Sequence, residues 1–239
     1  MSIPILMYHQ IDEPPPRGAP LRGLVVSPGS FARQMWLLKM LGYRGLSMRD
    51  LEPYIQGSKS GKVVGVTLDD GYQNNHTHAL PVLRQHGFTA TCYGVSHLIA
   101  GTNQWDAELG IPQKPLMTAA EWREWSDAGM DVGSHTCTHA NLPELPDDAA
   151  RQQITQSKIE LEQLIGREVR HFCYPYGKFE GRHARMAQEA GYASATTTER
   201  GRVHPGGDVY RLKRIMVARA THLGQFAAKV CTAYEDRRA

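Results

Sequence analysis

Residues 62–72, KVVGVTLDDGY, read as a buried strand that runs into a pair of carboxylates and a turn. The apolar run from Val63 to Leu68 is too short for a helix and is closed off by Gly71, as expected of a strand covered on both faces. Asp69-Asp70-Gly71 is good turn chemistry. Two adjacent carboxylates also repel, so burying them together requires a cation or a proton nearby. One stretch thus marks both the end of a strand and a place where charge collects.

Working outward, the same unit recurs. Ile3 to Tyr8 is a first strand candidate, followed by a Pro- and Gly-rich loop and a helix capped by Ser27 with Pro28 at its first position. After residue 72, strands are expected at Thr89–Val95, Met130–Gly133, Val169–Tyr174, Ala193–Thr197 and Leu212–Val217. Helices are expected between them, with a capping box at Thr118 and Glu121 and a long helix over Asp147–Ile165. The segment from Ser96 to Met117 is long and irregular, and such loops are usually functional. Seven strands, each followed by a helix or loop, imply an α/β fold: a distorted (β/α) barrel with fewer than the usual eight units. No internal repeat or linker divides the chain, so residues 1–239 are read as a single domain.

Composition bounds the function more than it names it. With 41% hydrophobic and 21% charged residues the chain can build a full core. A net charge of +3, without a basic run, gives no reason to expect a nucleic-acid partner. Nothing approaches the ~20 apolar residues of a transmembrane segment. Cys92, Cys137, Cys173 and Cys231 are far apart and form no CxxC pair, which favours reduced thiols. Met1 to Tyr8 lacks a basic leader and is short for a signal peptide, so the expected location is the cytoplasm.

Three clusters fall at strand ends: Asp69-Asp70, His135-Thr-Cys-Thr-His139, and Tyr174-Pro175-Tyr176-Gly177. In a parallel barrel the loops after the strands converge on one opening, so the clusters should meet there. Histidines four apart can grip one ion, and a strand-end Asp would complete a two-His, one-carboxylate set with open positions, typical of a catalytic metal. HxxxH alone is weak evidence in a chain with 11 His. Solvent-facing loop histidines are the plain alternative.

TLDDGY (67–72), HTCTH (135–139) and FCYPYG (172–177) resemble the successive motifs of the polysaccharide deacetylase family, the NodB homology domain of carbohydrate esterase family 4 type. MYH (7–9), NQWD (103–106) and LKRI (212–215) resemble one bacterial branch of it. The resemblance implies a NodB-type barrel and hydrolysis of N-acetyl groups on an amino sugar, the partner being an N-acetylated carbohydrate. By position it implies Asp69 as catalytic base and Asp70, His135 and His139 as ligands of one divalent metal, zinc first, with Co, Ni or Mn as alternatives. Pro175 and Tyr176 would line the substrate groove, Tyr176 offering a backbone N–H to the oxyanion, and Trp105 would stack on a sugar ring.

Two departures from the family pattern leave roles open. The late LxxH-type motif that often supplies the general acid is missing; His9 is the better candidate, with a hydrogen-bonding supporting role as its alternative and His222 behind it. Cys173 stands where many relatives carry an Arg that pairs with the catalytic Asp. Arg214 could supply that cation from the last strand, or pair with another carboxylate and only stabilise the barrel. His171, inside a strand, reads as structural. The rival functions are hydrolysis of a non-polysaccharide acetyl or formyl amide, and a carbohydrate-binding pseudoenzyme.

Overall fold

The structure, a computed structural model, describes residues 2–238. The strands are β1 (Ile5–Tyr8), β2 (Gln10–Ile11), β3 (Val25–Val26), β4 (Arg44–Leu46), β5 (Val63–Leu68), β6 (Thr91–Gly94), β7 (Asp131–Ser134), β8 (His171–Cys173), β9 (Ser194–Arg200) and β10 (Leu212–Met216). The helices are α1 (Pro28–Met40), α2 (Met48–Ile55), α3 (Leu80–His86), α4 (Ala119–Asp127), α5 (Asp147–Ile165), α6 (Gly181–Glu189) and α7 (Leu223–Cys231). Among the described residues no helix is long and apolar enough to cross a membrane.

Seven parallel strands close into a ring in the order β1, β10, β9, β8, β7, β6, β5, and β5 returns to β1 through the register Ile5 to Gly65 and Tyr8 to Leu68. These are the seven strands expected from the apolar runs. An eighth, β4, pairs with the first half of β5, while β6 takes the second half. No strand was expected there. The short parallel pair β2–β3 was likewise not foreseen.

Strand alternation sorts the core into two shells. Leu6, Val66, Leu68 and Phe172 face outward and pack under the helices, in one cluster with Phe31 of α1 and Trp122 and Trp125 of α4. Ile5, Tyr93, Cys173 and Leu212 face the barrel axis. Met48, Leu51 and Ile55 of α2 belong to that inner cluster, so α2 plugs the amino-terminal end. The expected caps form: Ser27 and Ser47 accept backbone N–H groups, and Thr118 and Glu121 make a reciprocal capping box. With one end plugged and the ring closed, the carboxyl end is the opening left for a site.

Candidate active site

The three sequence clusters meet at that opening because each leaves the sheet one hydrogen bond past its strand. Asp69 N–H donates to the Tyr8 carbonyl (2.9 Å), His135 N–H to Gly94 (2.8 Å) and Tyr174 N–H to Thr196 (3.2 Å). Beyond these bonds the chain turns sharply. Of the six non-glycine residues with positive φ among those described, four lie here: Asp70 (75°), Thr136 (67°), His139 (60°) and Tyr176 (60°). Such conformations cost about 1–3 kcal/mol each and cluster where side chains must be aimed. Gly71, at φ +74°, leaves no alternative, since a Cβ there would lie 2.7 Å from the Trp122 ring.

Asp70 Oδ1 lies 3.5 Å from Nε2 of both His135 and His139, and all three side chains are buried. His135 Nδ1 is 2.7 Å from the Cys173 carbonyl oxygen. A carbonyl only accepts, so Nδ1 carries a proton and Nε2 is the atom turned towards Asp70, able to donate to it when protonated or to bind a cation when not. Burial opposes the charge on Asp70, and the two imidazoles outweigh it, holding its pKa far below the usual carboxylate range. Two nitrogen donors and a carboxylate oxygen facing one another suit a cation, and the set fits the two-His, one-carboxylate pattern. Cys137, between the two histidines, turns the other way: its N–H donates to Gln153 Oε1 (3.0 Å), beneath α5.

Asp69 is held differently. Arg214 donates to both its oxygens, Nη1 to Oδ1 at 2.7 Å and Nη2 to Oδ2 at 2.8 Å, with the guanidinium fully buried. The small Cys173 side chain leaves room for this, its Sγ lying 3.2 Å from Nη2. Burial raises the Asp69 pKa and the Arg214 charge more than reverses that, so the carboxyl ionises below its ordinary value. His9 also lines the cavity, with Nε2 4.0 Å from Asp69 Oδ2. His222 does not come near: its Nδ1 accepts Gln225 N–H and caps α7. His171 is buried in β8 against Ser194 and Glu52, away from the opening, as a structural residue would be.

The aromatic residues sit beside His139. The Trp105 ring stacks on it at 4.4 Å and the Tyr176 ring meets it edge-on at 4.5 Å. One face of Trp105 is therefore occupied by a side chain of the histidine cluster rather than left open for a sugar. Pro175 is buried and shapes the turn, and Tyr174 and Tyr176 line the cavity. Asp106, of the NQWD stretch, also lines the cavity, a place its sequence context does not reveal. Burial raises its pKa, and Asn103 holds one of its oxygens at 3.2 Å. Its proximity to the site is a property of the loop's path, which no local pattern encodes.

This barrel, with carboxylates and histidines at one mouth, matches the family model for polysaccharide deacetylases over residues 56–195, and the chain belongs to that family. A polysaccharide deacetylase from Bacillus cereus of known crystal structure is 30% identical, with a TM-score of 0.81 over 96% of this chain and 69% of that one. The Streptococcus pyogenes deacetylase PplD, solved in complex with acetate, shares the fold at 24% identity, with a TM-score of 0.84 over 96% and 98% of the two chains. The poly-β-1,6-N-acetyl-D-glucosamine N-deacetylase of Staphylococcus epidermidis is 24% identical over 202 residues, 83% of this chain and 70% of that protein. His9 and Arg214 lie outside the segment that the family model matches, yet the closed ring brings both to Asp69.

Proposed function

We propose that the protein is a metal-dependent hydrolase that removes N-acetyl groups from the amino sugars of a polysaccharide, oligosaccharide or lipid-linked glycan. The observation that carries this reading is the pairing of two differently tuned aspartates at one mouth. Asp70 faces two imidazole nitrogens, and Asp69 is clamped in ionised form by Arg214. The activity named for the staphylococcal relative supports the substrate class.

Asp70, His135 and His139 would hold one divalent ion, zinc being the first choice for this donor set. When bound, such an ion supplies Lewis acidity, which makes water nucleophilic near neutral pH and polarises the acetyl carbonyl. Asp69 accepts the proton that the attacking water gives up, and Arg214 fixes the carboxylate's orientation through two N–H donors. Tyr176, on its left-handed turn beside His139, is assigned the backbone N–H that meets the oxyanion, a contact worth ~3 kcal/mol in such sites. His9 is assigned the proton that the leaving amine needs. The departure at position 173, which favoured a pseudoenzyme, has its counterpart in Arg214.

The test is release of acetate and free amine from chitooligosaccharides and from β-1,6-linked N-acetylglucosamine oligomers, with N-formyl analogues in parallel. Acetate release that a chelator stops and zinc restores is the expected result. No release of either acid from metal-loaded protein would overturn the reading, and formate alone would move it to the deformylase.

A further inference from the structure

We propose that the outer half of the catalytic cavity is a subsite for an apolar chain attached to the acetylated sugar, so that the preferred substrate is an amino sugar with a lipid-like aglycone. The inference takes the sugar head from the deacetylase reading above; the apolar chain stands on the shape and composition of the cavity.

The cavity holds about 380 Å³ and changes character with depth. Its floor is His9, Asp69, Asp70, His135 and His139. Its more exposed lining includes Leu21 and Leu24 from the Pro-rich loop, Leu109 and Ile111 from the loop after β6, and Met216 at the end of β10, beside the polar Gln10, Glu13 and Lys114. Among the described residues seven large apolar side chains are markedly exposed, and four of them line this one cavity: Leu21 (49%), Leu109 (69%), Tyr176 (46%) and Met216 (43%). Single exposed apolar residues are ordinary, whereas a cluster continuous with a reacting centre marks a binding surface. Sugar rings are bound by flat aromatic faces and by polar groups that satisfy hydroxyls, and aliphatic Leu, Ile and Met offer neither.

The two loops are held in place. Lys114 reaches across to Asp12 at 2.9 Å, its own N–H is fixed by Asn103 Oδ1 at 2.7 Å, and Asn74 Oδ1 accepts Ile11 N–H at 3.2 Å. A groove fixed before binding loses little entropy when an apolar chain enters it. The occupant follows from continuity: whatever lies in the groove is within reach of the atom bound at its floor, so it is part of the substrate.

The experiment compares methyl, octyl and geranyl glycosides of N-acetylglucosamine, kept below micellar concentrations, with a β-1,6-linked tetrasaccharide. Each buried methylene contributes about fourfold to binding, so with roughly half of the added chain buried in the groove kcat/KM should rise on the order of 100-fold from methyl to octyl. The octyl and geranyl arms separate a straight acyl-type chain from a branched prenyl one. In Leu21→Ser/Leu109→Ser, two exposed positions, the octyl-to-methyl ratio should fall below about tenfold. A wild-type ratio near one, a tetrasaccharide that outperforms the octyl glycoside, or an unchanged ratio in the double variant overturns the proposal. So does an unchanged ratio with lost binding to anionic lipid vesicles, which would make the rim a membrane contact. If no glycoside is hydrolysed, calorimetric binding decides. Octyl binding at least tenfold tighter than methyl keeps the apolar subsite while the deacetylase reading fails, and equal binding overturns the subsite too.

Discussion

Arg214 is the residue whose replacement the geometry constrains most. All five of its N–H donors have partners: Nε the Thr197 carbonyl (2.8 Å), Nη1 Thr67 Oγ1 (3.0 Å) and Asp69 Oδ1, Nη2 Asp69 Oδ2 and Cys173 Sγ. Lysine brings the charge but only three donors on one point, so Arg214→Lys gives up at least two contacts. At about 0.5–1.5 kcal/mol for a neutral bond and about 1.5–3 for a charged one, the loss is about 2–4 kcal/mol. Arg214→Met leaves Asp69 buried and unpaired, at a cost of about 3–5 kcal/mol. The sign with pH follows from the direction of the Asp69 shift. Its pKa is depressed in the folded protein, so the pair stabilises above the unfolded value of ~3.9 and that stability is lost as pH falls through the folded value. Without the guanidinium burial dominates and the pKa rises, so the wild-type-to-variant gap is widest near neutral pH and narrows on acidification. The acidic limb of the pH–rate profile should move up by ~1–3 units in step. Urea unfolding at pH 7 and pH 5, with the rate profile, measures both effects. A lysine variant with wild-type stability and an unmoved acidic limb would refute the reasoning and make Arg214 an ordinary barrel residue.

Asp69→Asn keeps the shape but cannot accept a proton, so turnover should fall ~100-fold or more with metal content retained; loss of the metal would mean the two aspartates are assigned the wrong way round. His9→Gln should lower turnover and flatten the alkaline limb, which reports the acid, and an unchanged profile would leave His9 a supporting hydrogen-bonding role. At the other end of the barrel, burial opposes the charge on Glu52, and His171 and Arg170 overcome it, lowering its pKa to about 2. Its contribution is present above the unfolded value of ~4.3 and fades as pH falls towards the folded one; with solvent screening at this half-buried site, Glu52→Gln should cost ~1 kcal/mol at pH 7 and less at pH 3. A gap constant across that range would show that Glu52 does not act through its charge.

Most of the seven barrel strands were legible as apolar runs bounded by turn residues and too short for a helix, whereas β7 (Asp131–Ser134) and β9 (Ser194–Arg200) contain few apolar residues. The clusters after β5, β7 and β8 were legible because strand ends fix where they point. What failed to show was short or long-range. β4 is three residues, Arg44–Leu46, and holds its place because Gly45 lets the Phe88 ring approach; a Cβ at Gly45 would lie 2.7 Å from that ring. That Trp105 lays one face on His139 did not show in the sequence, because the path of the loop after β6 decides its direction. The apolar mouth built by Leu21, Leu109 and Met216 was invisible for the same reason: these residues share no period and come together only when the ring closes. The Arg214–Asp69 pair was legible only as a compensation, a missing Arg at position 173 set against an unplaced one at 214. The small thiol of Cys173 beside Nη2 is the packing that makes the exchange possible.

Metal content reads out whether Asp70, His135 and His139 hold one ion. Wild-type protein, His135→Ala and Asp69→Asn are loaded with zinc, dialysed together and analysed by inductively coupled plasma mass spectrometry, with circular dichroism to check folding. One bound ion is expected in wild type and in Asp69→Asn, with most of it lost from folded His135→Ala, because removing one of three protein ligands forfeits much of the affinity. Full occupancy in folded His135→Ala would contradict it.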